Sequence, residues 1–342
     1  MIQGKATEQE RRKRLPVVRV GSFMRECLRD GALEGRVHSV FARTLNWEDE
    51  AGRFFCVTSR RQGAAPFGMA AEFPEGFFLD QADIAAGARV RVREGILEVD
   101  GLDVVFCFES DESDLSDKSD ESDKSLCDNS DPSDPSDPSD PSDLSDKCTL
   151  IVSFLQNRNL REGLLPLVFQ MEALLSEEAP PAQADPYLNR AAQAVSGLAS
   201  AIRKGDLDLA FQCARRLVGL GIGLTPSGDD LLTGMMAVWL HFSNPVQRSW
   251  FRELAGRIAD YVPGKTTRIA QAYLQFAAQG RLNENVAELL EAIRGSEPVE
   301  IISRAETLCA MGETSGSETL LGIIIGMITM PMLHIEKENA NA

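Results

Sequence analysis

Residues 88–108, ARVRVREGILEVDGLDVVFCF, decide the fold of the first half of this chain. Apolar residues recur among polar ones at Val90 and Val92 and again at Ile96 and Val99, with glycine-containing turns in the stretch. This alternation is typical of short β-strands, because successive side chains of a strand point to opposite faces of the sheet. The stretch therefore predicts strands joined by tight turns.

Two further segments upstream also favour β-structure. Residues 36–47, RVHSVFARTLNW, alternate in part, and residues 52–59, GRFFCVTS, form a short apolar run. Several short strands at this spacing are typical of a small barrel or sandwich. We therefore predict a β-rich domain over residues 36–155, preceded by a tail and lead-in at residues 1–35.

A low-complexity insert interrupts this domain at residues 109–147. It holds 15 acidic residues and 3 lysines, so it carries −12 of the chain's formal charge of −17. Ser-Asp recurs with a period of mostly three residues, and the near absence of apolar residues predicts disorder. The flanking segments VVFCF (104–108) and CTLIVSFL (148–155) each favour a strand. The insert is therefore predicted to interrupt a hairpin.

From about residue 156 the apolar spacing becomes helical. Segments such as YLNRAAQAVSGLASAIRKG (187–205) and VQRSWFRELAGRIADYV (246–262) place apolar residues three and four apart, on one helix face. The chain is therefore predicted to be α+β, with a small N-terminal barrel or sandwich followed by an all-α domain over residues 156–342. The apolar run Thr319–Leu333 is shorter than a membrane span and predicts a buried core helix.

Composition restricts the partners and the compartment. Outside the insert the net charge is only −5, whereas a nucleic-acid-binding surface needs a clustered basic face. Seven cysteines are scattered without a CxxC pair, and no apolar stretch follows the N-terminal charges to form a signal peptide. We therefore expect a cytoplasmic protein with free thiols that binds neither nucleic acid nor a membrane.

Two related motifs in the helical half are the best candidates for a functional site. GLGIGLTPSGDDLLTG ends at Gly234, and MGETSGSETLLG ends at Gly322. Aligned on their Ser-Gly pairs, residues 227–234 correspond to residues 315–322. Either copy alone favours a structural role, because capped helices are common, but the pair favours a ligand site.

Each copy has the pattern of a helix start. Ser227 with Asp230, and Ser315 with Glu318, fit a capping box, in which serine and acid satisfy each other's backbone amides. The free amides and partial positive charge of a helix N-terminus attract anions, and glycine lets a ligand approach the backbone. The predicted anion-binding residues are Thr225, Ser227, Gly228, Thr314, Ser315 and Gly316.

The acidic residues set a condition on the ligand. Asp229 would repel an anion unless a cation intervened, and Mg²⁺ held by Asp229 and Asp230 would be such a cation. Arg268 would also compensate the charge, with a solvated helix surface as its alternative role. Asp229 acting as a general base is a further possibility. We therefore predict Asp229 and Asp230 as catalytic, Asp229 as a metal ligand, and Arg268 as part of the anion site.

At these residues the sequence resembles the oxamate carbamoyltransferase subunit family, the AllH-like proteins. The two motifs look like the two signatures of that family, and TTRIAQAYLQFAAQG (266–280) is similar to a third segment. Glu313 stands where members often have His, and Ala270 stands where they often have Ser. If those groups contribute to the chemistry, this chain acts on another substrate or takes the missing group from a partner. Weaker matches in the N-terminal half are Arg43, Asn46, Pro66 and Gly68.

The resemblance implies one subunit of a multi-subunit enzyme of purine-ureide (allantoin) breakdown. That enzyme moves a carbamoyl group between carbamoyl oxamate and phosphate, together with an acyl-CoA-synthetase-like subunit and a second subunit. The expected ligand is a small anion: oxamate, carbamoyl phosphate or phosphate. Two alternatives stay open, namely a non-catalytic scaffold or metabolite-binding subunit, and a metabolite-sensing module.

Overall fold

The protein consists of a β-barrel unit and a helical unit. The computed structural model describes residues 12–108, 141–158, 161–176 and 182–333. The chain divides into two compact units between Pro135 and Ser136. The predicted α+β class, with a small β-domain before a helical one, is confirmed.

The first unit is a closed barrel with the strand order β1-β5-β4-β3-β2-β6-β7-β8. Neighbouring strands are antiparallel except for the pairs β1–β8 and β4–β5, which are parallel. The elements are β1 (Lys13–Val20), α1 (Ser22–Arg29), β2 (Leu33–Phe41), β3 (Thr44–Asp49), β4 (Phe54–Ser59), β5 (Gly68–Ala71), β6 (Arg89–Arg93), β7 (Ile96–Val99) and β8 (Val104–Cys107).

The alternation of apolar and polar residues in the sequence corresponds to the alternation of inward-facing and outward-facing side chains in the barrel. Val90, Val92, Leu97 and Val99 are buried in one apolar cluster inside the barrel, whereas Arg91, between the first two, is half-buried and the flanking Arg89 and Arg93 are exposed. Closing the sheet leaves it without open edges. The predicted start of the β-domain at residue 36 was too late, because β1 and α1 precede it.

The second unit is built from helices of different lengths around one apolar core. The helices are α2 (Pro141–Asn157), α3 (Met171–Leu175), α4 (Pro186–Arg203), α5 (Leu207–Ala214), α6 (Ser227–Phe242), α7 (Pro245–Tyr261), α8 (Arg268–Ala277), α9 (Glu284–Gly295), α10 (Pro298–Cys309) and α11 (Ser315–Thr329).

The strand predicted at Cys148–Leu155 is wrong, because these residues lie in α2. Leu144, Cys148, Ile151 and Leu155 are all buried, and their spacing of four, three and four residues is that of one helix face. An apolar run of eight residues does not distinguish a strand from a helix by itself. The last seven residues of the predicted disordered insert, 141–147, are therefore helical, and the rest of it lies outside the described residues.

The apolar run near the C-terminus forms α11, which is surrounded by other helices. Within the described residues, one helical stretch, Ser315–Met332, is long and apolar enough to cross a membrane, with a mean hydropathy of 1.2. Most of this stretch is buried inside the protein, and it packs extensively on α6. The structure therefore agrees with the predicted core helix.

Candidate functional site

The two motif helices, α6 and α11, touch through glycines in a reciprocal way. A methyl group at Gly234 would overlap the carbonyl oxygen of Thr319, and one at Gly322 would overlap that of Leu231. Leu231 and Thr319 occupy corresponding positions of the two copies, as do the two glycines. Only glycine permits so close an approach of two backbones, so these glycines set the distance between the helices.

The two helices run parallel, with their N-termini at the same end. Further along the pair, Trp239 Nε1 donates a hydrogen bond to Thr329 Oγ1 at 3.2 Å, so the contacts follow the same order on both helices. At the first turn, Asp230 of α6 interacts with the Ser315 hydroxyl of α11. The structure therefore brings the two Ser-Gly-acid motifs together.

The predicted capping boxes are absent from both helix starts. Helix α6 begins at Ser227, after Pro226, and α11 begins at Ser315, after Thr314, and neither preceding residue makes a side-chain cap. Each serine is therefore the first helical residue and not the cap. The turn before each helix folds back so that a backbone carbonyl does the capping.

The backbone amides of the two motif glycines are already paired. Gly228 N donates to Leu220 O at 2.8 Å, and Gly316 N donates to Met311 O at 3.1 Å. Both amides therefore have acceptors within the chain, and anion binding at Gly228 and Gly316 stays a prediction. Among the described residues, no acceptor pairs with the amides of Ser227 and Ser315.

The glycine after each serine is needed for packing. A methyl group at Gly228 would overlap the carbonyl oxygen of Leu217, and one at Gly316 would overlap that of Leu308. Leu308 lies at the end of α10, and Leu217 lies in the turn that follows α5. The Ser-Gly pair in both copies therefore reflects a tight turn between two helices, and the predicted role of glycine in ligand approach has no support in this geometry.

Asp230 is the side chain that links the two helix starts. It is 6% exposed, and burial raises its pKa well above the usual value for an aspartate. Hydrogen bonds with the Ser315 and Thr225 hydroxyls oppose this shift, whereas the charges of Glu318 and Asp229 add to it. Among the described residues, none forms a hydrogen bond with the buried Oδ2 atom of Asp230.

Glu318 occupies the corresponding position of the second copy, and both of its oxygens have donors. Leu164 N donates to Oε1 at 3.0 Å, and Thr314 Oγ1 donates to Oε2 at 3.2 Å. A methyl group at Gly163 would overlap Glu318 Oε1 and would lie 3.3 Å from Ser227 Oγ. The 163–164 segment therefore lies against both helix starts.

Asp229 faces away from this pair, toward the loop before α6. Gly219 N donates to Oδ1 at 2.9 Å, and Thr266 Oγ1 donates to Oδ2. Burial raises the pKa of Asp229 to about 6, against the opposing effect of these two hydrogen bonds. Asp229 therefore ties the loop before α6 to the segment before α8.

Two cations were predicted at the site, namely the Arg268 side chain and a Mg²⁺ ion at Asp229. Arg268 is the first residue of α8, two residues after Thr266, and so it does not belong to either motif helix. Within the described ranges, no group of three or more His, Cys, Asp or Glu side chains is placed to hold a metal ion. The oxygens of Asp229 are both paired with donors of the chain. Mg²⁺ at Asp229 stays a prediction.

Tyr187, near the start of α4, belongs to the site, although no pattern in the sequence pointed to it. Its hydroxyl donates to Leu220 O at 3.2 Å. Burial raises its pKa to about 12, a hydrogen bond with Ser227 opposes the shift, and the charges of Glu318 and Asp230 add to it. Because Tyr187 is 40 residues from the first motif, only the packing of α4 brings it there.

The rim of the site is made of hydroxyl groups. Asp229, Asp230 and Glu318 are buried, whereas Thr225, Thr314 and Ser315 are partly exposed. Ligands would therefore meet hydroxyl groups first and carboxyl groups below them.

In the barrel, three of the residues that matched the family in the sequence, Arg43, Asn46 and Gly68, have structural contacts. Arg43 Nη1 donates to Phe77 O at 3.0 Å, and Asn46 Nδ2 donates to Ser39 Oγ at 3.1 Å. A methyl group at Gly68 would overlap Cys56 Sγ. The barrel also carries an open cavity of about 800 Å³, which contains no residue of the motif helices.

Two family models match this chain. One, described as oxamate carbamoyltransferase subunit AllH, matches residues 217–327. The other, described as the AllH family N-terminal domain, matches residues 17–112. The first covers both motifs and the second covers the barrel. No solved structure matches the chain.

Proposed function

Because the chain belongs to the AllH family of oxamate carbamoyltransferase subunits, we propose that it supplies a substrate-binding site at the paired starts of α6 and α11. The ligand is a small metabolite of that reaction: oxamate, carbamoyl phosphate or phosphate. The reaction serves allantoin breakdown in the cytoplasm, and the partners are an acyl-CoA-synthetase-like subunit and a second subunit.

Asp230 carries the proposal. Its Oδ2 atom is buried between two helix starts, and no described residue pairs with it. A buried polar atom without a partner costs about 1–3 kcal/mol. A ligand that forms a hydrogen bond with this atom would remove that cost, so the arrangement favours a site that is completed by a ligand.

The helix starts favour a negative group on the same ligand. Two parallel helices present their positive ends together, and each helix end attracts anions. The backbone amides of Ser227 and Ser315 have no acceptor among the described residues at this end. A phosphate or carboxylate group fits these donors at the rim better than it fits the carboxyl groups below.

The test is binding by the full chain and turnover by the assembled complex. We expect carbamoyl phosphate or oxamate to raise the melting temperature of the chain, because a ligand that binds only the native state stabilises it. Repeating each titration with Mg²⁺ tests the proposed cation. Asp230→Asn is expected to keep the fold and to lower kcat/KM about a hundredfold. Full activity of Asp230→Asn, with no ligand-induced shift of the native chain, would refute the proposal.

A second candidate function is a scaffold subunit, and one observation favours it. Ile222 is 93% exposed and Leu224 is 42% exposed in the loop before α6, and exposed apolar side chains are favourable contacts for a partner. If the chain is only a scaffold, Ile222→Asp should abolish assembly with the other subunits, and no metabolite should stabilise the isolated chain. Stabilisation by a metabolite would exclude the purely structural role.

A further inference from the structure

Resting on the proposed function, we infer that the inner part of the site recognises the carbamoyl amide end of the ligand, with Asp230 Oδ2 accepting an N–H hydrogen bond. The anionic end of the ligand then lies at the rim, at the helix starts. This assigns opposite ends of one small molecule to two layers of the site.

The charges around Asp230 oppose an anion in the inner layer. Among the largest influences on the pKa of Asp230, the charges are those of Glu318 and Asp229, and among those on Tyr187 they are the charges of Glu318, Asp230 and Asp185. All of them are carboxyl groups. A phosphate placed against Asp230 Oδ2 would be repelled, whereas an amide N–H is a hydrogen-bond donor and is attracted to a carboxyl oxygen.

The hydrogen bonds between described residues of the site leave Asp230 Oδ2 as an acceptor for the carbamoyl N–H group of the ligand. Both oxygens of Glu318 already accept hydrogen bonds from Leu164 N and Thr314 Oγ1. Asp230 Oδ2 has no described partner, so it is the oxygen that the protein leaves for the ligand.

A matched pair of ligands tests the inference. Carbamoyl phosphate and acetyl phosphate carry the same phosphate, but the second has a methyl group in place of the amine and donates no hydrogen bond. We expect the full chain to bind carbamoyl phosphate about tenfold more tightly, because acetyl phosphate would leave Asp230 Oδ2 buried without a partner. Calorimetric titration at low temperature, where both ligands persist, measures this ratio.

Two variants locate the preference. Asp230→Ala removes the acceptor and should reduce the ratio to about one. Asp185→Asn removes another carboxylate that acts on Tyr187, yet asparagine can still accept the capping hydrogen bond from Tyr187 N, so the ratio should persist. Circular dichroism confirms that both variants fold.

The outcomes separate the inference from the proposed function. Equal affinity of the native chain for the two phosphates would overturn the amide inference and leave the ligand site in place. Binding of neither compound would overturn both. A tenfold preference that survives Asp230→Ala would place the amide contact elsewhere and so would also overturn the inference.

Discussion

The two motif copies have nearly the same backbone but differ in what their acidic residues do. In both, a carbonyl of the preceding turn pairs with the motif glycine amide, and the acid three residues after serine is buried. Glu318 has a donor for each oxygen, whereas Asp230 keeps one oxygen without a described partner. The same local pattern therefore produces a structural carboxylate in one copy and a candidate ligand contact in the other.

This difference arises from the surroundings of each copy. The 163–164 segment lies against Glu318 and supplies a backbone amide to it. Asp230 is one methylene shorter, and its side-chain interactions are with the Ser315 and Thr225 hydroxyls. Pairing the two helices thus places one satisfied and one unsatisfied carboxyl group side by side.

The largest expected effect comes from separating the two copies. Gly322→Val would drive a side chain into the Leu231 carbonyl, and we expect a loss of about 3 kcal/mol of unfolding free energy. Denaturant unfolding measures it. Gly256→Ala in α7 is the matched control, because nothing lies within 4 Å of a methyl group there, and the higher helix propensity of alanine should stabilise the protein slightly. Equal stability of Gly322→Val and the native chain would contradict the close helix contact.

The next effect concerns Asp229, whose counterpart in the second copy is Ser317. Asp229→Ala removes both hydrogen bonds, to Gly219 N and Thr266 Oγ1, and should cost about 2 kcal/mol in thermal or denaturant unfolding. Asp229→Asn should be tolerated, because its amide oxygen can accept from Gly219 and its amide nitrogen can donate to the threonine hydroxyl. If Asp229→Asn folds normally but abolishes turnover, this result would support the general-base or metal-binding role that was predicted from the sequence.

The pH dependence of stability gives a smaller effect at the same residue. Burial raises the pKa of Asp229 to about 6 in the folded state, whereas in the unfolded chain this pKa is the ordinary aspartate value of 3.8. The folded state binds more protons between these values, so stability falls as the pH rises. We expect the native chain to lose about 1 kcal/mol between pH 5 and 7 relative to Asp229→Asn. Parallel pH profiles of the two proteins would contradict the raised pKa.

The smallest expected effect is that of Glu318→Gln. Glutamine can still accept from Leu164 N and can donate to Thr314 Oγ1, so stability should change by less than about 0.5 kcal/mol. Removing the charge of Glu318 should lower the pKa of Asp230, because that charge is one cause of its elevation. Carbon-13 NMR of the aspartate carboxyl groups measures the change. An unchanged pKa would show that the two copies are not electrostatically coupled.

Much of the fold could be predicted from local patterns. The alternation at Val90 and Val92 indicated strands, and the helical spacing of the second half was unambiguous over long segments. The segment Cys148–Leu155 was misassigned because eight apolar residues fit either structure, and the decisive Leu144 lies within the charged insert. The capping boxes were wrong because serine and acid at that spacing also suit a first helical turn capped by a backbone carbonyl.

The sequence by itself determined the two units and the similarity of the two motifs, because both depend on residue spacing along the chain. Only the tertiary structure decided that α6 and α11 run parallel in contact and that Tyr187 and the 163–164 segment lie at their starts. It also decided that one oxygen of Asp230 has no partner among the described residues. These features depend on which groups from distant segments come within hydrogen-bonding distance, and residue spacing carries no information about that.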